Sequence, residues 1–115
     1  MQGIAGKGFI LKVPERTPQI VWRVEKKRED RVKASLEAGR EPDEEGTVIL
    51  VVAGTMHQLN YVGGSIWQLC DGSRDLKAIA EALQQEFDVE PEELEDDVRV
   101  FVQDLVERGW LRYAE

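Results

Sequence analysis

The sequence predicts a small α+β domain, with strands first and helices after them. Three observations predict it. The chain has 115 residues, enough for one domain with one core. Its apolar runs before Asn60 are β-branched and aromatic, as strands are. From Asn60 onward the apolar residues recur at the 3.6-residue period of helices. A run of strands followed by a run of helices belongs to the α+β class.

Residues 1–18 are Gly-rich at the start and carry Pro14 and Pro18. They read as an N-terminal arm, partly extended, ahead of a domain over 19–115. Residues 19–24 (Gln-Ile-Val-Trp-Arg-Val) read as the first strand. Residues 25–46 form a charged insertion. A helix over 26–38 is one option, because Glu29 and Lys33 stand at i, i+4 in the favourable order and Gly39 would stop it. Its apolar content, mainly Val32 and Leu36, is thin for a buried face. The expectation is therefore a solvated hairpin excursion. Residues 47–53 (Thr-Val-Ile-Leu-Val-Val-Ala) suit a central strand covered on at least one face. Gly54 breaks the run. Residues 55–59 then form the second strand of a hairpin, with Thr55, His57 and Leu59 on one face and Met56 and Gln58 on the other.

The helices follow. Asn60 is a good N-cap, and Val62, Ile66, Leu69 and Cys70 share one helical face. Trp67, a large aromatic in this helix, is expected to be buried. Asp71-Gly72 ends the helix. Asp75 caps the next, whose face is Leu76, Ile79, Ala80, Leu83 and Phe87. Pro91 stands where a third helix places its first residue, and Glu92 and Glu93 suit the positive end of its dipole. Leu94, Val98, Phe101 and Leu105 read as its core stripe. Arg108 falls in the last turn, Gly109 at C′, and Trp110-Leu111 returns apolar weight to the core.

Charge and composition narrow the function. Residues 1–45 carry 10 Lys+Arg and 9 Asp+Glu, whereas residues 46–115 carry 5 and 14. The acidic part repels phosphate backbones, so no nucleic-acid partner is expected. No run approaches the length of a membrane-spanning helix and no signal peptide is visible, so the expectation is a cytoplasmic protein without a membrane partner. Cys70 is the single cysteine, which excludes an intramolecular disulfide, and it falls on an apolar helix face as a core residue. His57 is the single histidine, which excludes catalytic triads and multi-His metal sites. The acids Glu90, Glu92, Glu93, Glu95, Asp96 and Asp97 lack the glycine and the alternation of an EF-hand. Gly63-Gly64 and the glycines at 3, 6 and 8 lack the strand–loop–helix setting of a phosphate cradle. No catalytic residue, metal or cofactor is expected, which leaves a binding module.

Two surfaces suit binding. One is a flank of the last helix, read at 100° per residue from Leu94. Val102 falls at about 80° and Val106 at about 120°, with Glu95 at about 100° and Arg99 at about 140°. This flank is half apolar and half charged. Val102 and Val106 either widen the core stripe or wall a groove. The strand Thr55, Met56, His57, Gln58, Leu59 is the other surface. At a sheet edge its free N–H and C=O groups would pair with an extended peptide.

The run from His57 to Gly72 (His-Gln-Leu-Asn-Tyr-Val-Gly-Gly-Ser-Ile-Trp-Gln-Leu-Cys-Asp-Gly) resembles the signature of the PqqD family. Ile79-Ala80…Leu83, Val89-Glu90-Pro91-Glu92-Glu93, Asp97-Val98 and Leu105…Gly109-Trp110-Leu111 extend the match, which covers about residues 19–111. The resemblance implies a winged-helix-like fold, a three-stranded antiparallel sheet packed on three helices. It also implies a RiPP recognition element, a peptide chaperone. Such an element captures the leader of a ribosomally made precursor peptide and presents it to a radical S-adenosylmethionine enzyme with a SPASM extension. In the family the leader adds to the third strand and lies against the third helix. Here those are residues 55–59 and the flank of residues 91–108, so the implied site is Thr55, Met56, His57, Gln58, Leu59, Glu95, Arg99, Val102 and Val106. The implied chain is non-catalytic, and a monomer or weak homodimer. The charged insertion 25–46 departs from the short first hairpin of the family. Two alternatives are a winged-helix DNA-binding regulator and a scaffold subunit. Residues 91–108 hold seven acids against two arginines, which disfavours the DNA-binding one.

Overall fold

A computed structural model of the chain describes residues 12–41 and 46–114. The elements, in order, are β1 (Pro14–Arg16), β2 (Val21–Val24), α1 (Lys26–Glu37), β3 (Val48–Val52), β4 (Thr55–Leu59), α2 (Tyr61–Leu69), α3 (Leu76–Gln84), α4 (Pro91–Glu107) and β5 (Leu111–Tyr113). They divide into two compact units, residues 18–65 and residues 12–17 with 66–114, the boundary falling inside α2. The first eleven residues of the expected arm lie outside the described residues.

The first unit holds an antiparallel sheet of order β2-β3-β4. Val21 to Val24 pair with Val51 to Val48, and Val48 to Val52 pair with Leu59 to Thr55. Ala53 (φ 50) and Gly54 (φ 81) both have positive φ, which makes the β3–β4 link a two-residue type I′ turn whose twist matches that of the strands. Val48, Leu50 and Leu59 share the buried face of the sheet. Gly64, in the first turns of α2, comes so close to β3 that a Cβ there would stand 2.8 Å from Thr47 Oγ1 and from Val48 Cγ2. Gly64 is therefore a close-packing device. Asn60 caps the helix, its Oδ1 accepting from the Gly63 N–H at 2.9 Å.

The insertion corrects the expectation of a solvated excursion, because residues 26–37 are helical. Good helix formers and one buried apolar residue, Val32, are enough. Lys26 adds ion pairs to Glu29 (3.4 Å) and Asp30 (3.1 Å) on the same side of the helix. Gly39 (φ 74) closes α1 in a Schellman motif, with its N–H donating to the Leu36 carbonyl and that of Arg40 to the Ser35 carbonyl. The described residues thus hold four helices, one more than the sequence reading expects.

The second unit is built on α3, α4 and a two-stranded sheet, β1-β5, in which Pro14 pairs with Tyr113 and Arg16 with Leu111. Neither strand of that sheet is expected from local pattern. Each has three residues, and their pairing joins segments far apart in the chain. Arg16 Nη1 also donates to the carbonyls of Trp67 (2.9 Å) and Gln68 (3.0 Å), closing the C-terminal end of α2. Asp75 caps α3 by accepting the Ala78 N–H at 2.8 Å. Pro91 opens α4, and Gly109 (φ 82) closes it with the same Schellman pair of bonds, to Val106 and from Trp110 to Leu105. Trp67 and Cys70 are fully buried, as expected.

The core stripe of α4 needs one correction. Its buried residues are Leu94, Val98, Val102 and Leu105, and Phe101 is only half-buried. Around the helix these four centre about 35° from Leu94, so the buried direction is rotated toward Val102 and away from Phe101.

Candidate functional site

β4 is an edge strand. It pairs with β3 on one side, and no described strand pairs with the other. Its turn determines which backbone groups face that open side. A type I′ turn closes on a hydrogen-bonded pair, here Val52 with Thr55, and such pairs alternate along an antiparallel ladder. The main-chain groups of Thr55, His57 and Leu59 therefore turn toward β3. Those of Met56 and Gln58 turn outward. The side chains alternate perpendicular to this, so Leu59 is buried and His57 half-buried, whereas Met56 and Gln58 are exposed. Val21, Val51 and Met56 form one register row across the three strands, and all three are exposed apolar residues.

On α4 the structure separates the four expected flank residues. Val102 is fully buried, so it widens the core stripe and offers no surface to a partner as the chain stands. This corrects its assignment as a groove residue. Glu95 and Arg99 are exposed, and Val106 is half-buried. Arg99 Nη2 holds an ion pair with Asp96 Oδ1 at 2.6 Å, one turn back. Arg99 and Val106 also line a cleft of about 390 Å³ within the second unit, together with Leu76, Gln103 and Tyr113. The Lys12 ammonium lies 4.9 Å from the centroid of the Tyr113 ring. The sequence reading missed Lys12 and Tyr113, because only the long-range β1–β5 pairing brings their two segments together.

Other polar groups are occupied with structure. Asp71 Oδ1 accepts from the Ser73 hydroxyl and the Ser73 N–H, and the hydroxyl bond is the largest influence holding the Asp71 carboxyl below its usual range. Asp71-Gly72 is thus turn chemistry after α2, with Gly72 at φ 85. Among the described residues no group of three or more His, Cys, Asp or Glu is placed to hold a metal ion. No helix among them is long and apolar enough to cross a membrane. Burial pushes the Cys70 thiol up to about 12. The folded chain is therefore expected to resist iodoacetamide at pH 8 and to react only in denaturant. Equal alkylation rates in both conditions would show an accessible thiol. The sign of the pH effect follows from the same shift. The neutral thiol favours the fold fully below its ordinary value of 9.0, and that stabilisation declines as pH rises toward 12.

The family model for coenzyme PQQ synthesis protein D (PqqD) matches residues 42–111. The chain belongs to the PqqD family. A PqqA binding protein of Methylococcus capsulatus is 35% identical to this PqqD-family chain over 65 residues, covering 56% of it and 67% of the relative. Among solved structures, TbiB1 in complex with the TbiA(beta) leader peptide has a TM-score of 0.59 at 24% identity, covering 88% of this chain and 99% of that one. The solution structure of the PqqD truncation of Methylobacterium extorquens PqqCD, a stand-alone RiPP recognition element, has a TM-score of 0.59 at 19% identity, covering 87% and 88%. These likenesses establish a PqqD-type fold of the α+β, winged-helix-like kind, with its three-stranded antiparallel sheet.

Proposed function

We propose that this PqqD-family chain captures the leader of a ribosomally made precursor peptide and presents it to a modifying enzyme of the radical S-adenosylmethionine/SPASM class. It acts as a cytoplasmic chaperone and catalyses nothing itself. The observation that carries this is the open edge of β4, where Met56 and Gln58 turn their N–H and C=O groups outward. An extended peptide completes these bonds by adding as a strand. Thr55, His57 and Leu59 hold β4 in place from the other side. Glu95, Arg99 and Val106 on α4 are the side chains assigned to specificity, and Val102 is left out because it is buried.

The relatives support this reading, since one is a PqqA binding protein and a fold neighbour holds a leader peptide. A DNA-binding role finds no comparable support, because α4 remains strongly acidic on its exposed faces.

The test is titration of the cognate precursor peptide into the parent and a Gln58→Pro variant. Proline deletes the outward N–H of Gln58 without touching a bond to β3. Peptide affinity is expected to fall at least about tenfold, about 1.4 kcal/mol, in a variant that circular dichroism shows folded. Unchanged affinity would remove β4 from the site. Salt-sensitive binding of generic duplex DNA by the parent, with no peptide binding, would favour the regulator instead.

A further inference from the structure

The helix α1 concentrates positive charge on one face of an acidic protein. Measured around the helix from Lys26, Lys27 lies at about 100°, Arg31 at about 140° and Arg28 at about 200°. Acids are absent from this arc. The opposite side, within about 60° of Lys26, carries Lys33 and the acids Glu29, Asp30 and Glu37, and there Lys26 is tied to Glu29 and Asp30. Lys27 and Arg31 are exposed. With Glu25, Lys26 and Arg28 they line a cleft of about 340 Å³.

This face lies at the end of the sheet where β4 finishes. The Glu25 N–H donates to the Thr47 carbonyl at 2.7 Å, and the Thr47 N–H donates to the Leu59 carbonyl at 2.8 Å. Arg28 Nη1 reaches the Gly46 carbonyl at 3.3 Å. Gly46 in turn lies against Gln58, so closely that a Cβ on it would stand 2.6 Å from the Gln58 Cβ. A short chain of contacts thus runs from the basic helix through Gly46 to the residue whose backbone faces the open edge.

We propose that the basic face of α1 extends the capture edge and takes acidic side chains of the bound peptide, in the residues just beyond those that pair with β4. This rests on the peptide-capture reading above and names the class of peptide, an acidic one. Charge complementarity selects that occupant. Residues 46–115 carry 14 acids and 5 bases and repel an acidic chain. The arc of α1 that carries Lys27, Arg28 and Arg31 holds no acid of the helix and attracts one.

The test selects binders from a library of random peptides displayed on their encoding RNA, using the full chain as bait. Enriched peptides are expected to share an extended, β-prone segment with Glu or Asp on one side of it. One such peptide and its twin, with the acids changed to the corresponding amides, are then titrated. At ~0.05 M salt the acidic form is expected to bind at least about tenfold more tightly than its twin, and at ~0.5 M the difference should shrink. The double variant Lys27→Glu/Arg31→Glu should erase the advantage and leave the twin's affinity unchanged. Lys27→Gln/Arg31→Gln should fall between, which separates lost attraction from a folding defect. Enriched peptides with no acidic preference, bound equally by the charge-reversed variant, would overturn this inference and leave peptide capture standing. A library that yields no binders, or binders indifferent to Gln58→Pro, would overturn the β4 edge and this extension with it.

Discussion

Trp67→Ala is expected to cost roughly 3–5 kcal/mol of stability, enough to unfold a domain at the low end of the ordinary range. Trp67 is 0% exposed, the largest fully buried side chain among the described residues. Removing the indole leaves a cavity wider than its neighbours can close, because a packed interior relaxes only in part. Its backbone is also tied, since the Trp67 carbonyl accepts from Arg16 Nη1 at 2.9 Å. That bond survives the truncation, so the loss measures packing. The check is a urea titration followed by circular dichroism, with Trp67→Phe as the control that refills most of the volume. An alanine variant with the parent's midpoint would contradict the burial of the indole.

Val102→Asp is expected to be at least as damaging, and for a different reason. Val102 is 0% exposed in the core stripe of α4, so the substitution places a carboxylate where water does not reach. Either the charge is buried unpaired or the carboxyl binds a proton on folding. Each course costs several kcal/mol. The second makes the penalty depend on pH. The folded-state pKa is raised, so the variant is least destabilised below the ordinary aspartate range and loses stability as pH rises above it. Val106→Asp, one helical turn on and half-buried, should be far milder, because its carboxylate can reach solvent. Denaturation midpoints at pH 4 and pH 7 test both variants. A Val102→Asp chain as stable as the parent at pH 7, but weak in peptide binding, would return Val102 to the binding surface.

These two positions show how far local pattern reaches. Thr55 to Leu59 is read to its ends from the sequence, because period-2 alternation bounded by Gly54 and Asn60 admits one register on a sheet with a buried face. The helix starts at Asn60, Asp75 and Pro91 and the stop at Gly109 are equally legible, since each rests on a capping bond or a φ value that few residue types provide. The family signature lies in this same stretch, which is why the fold and the β4 surface were both legible in the chain alone. The boundary between core and surface on α4 was not. Phe101 and Val102 stand on either side of the stripe, and the packing of α4 against α3 and β5 decides which turns inward.

The sequence by itself determined the β3–β4 hairpin, the three helices after Asn60, the helix caps and the absence of a triad or disulfide, because these depend on residues near one another in the chain or on their count. The tertiary structure alone decided that residues 26–37 are helical, that Pro14–Arg16 pairs with Leu111–Tyr113, and that Arg16 closes the end of α2. The segment is rich in good helix formers but thin in apolar residues, so the tertiary contact that buries Val32 gives the helix a side to pack. A three-residue strand has no period to read, and its stability comes from a partner almost a hundred residues away. Local chemistry is written in local sequence, whereas a contact between distant segments is selected only by the energy of the whole folded chain.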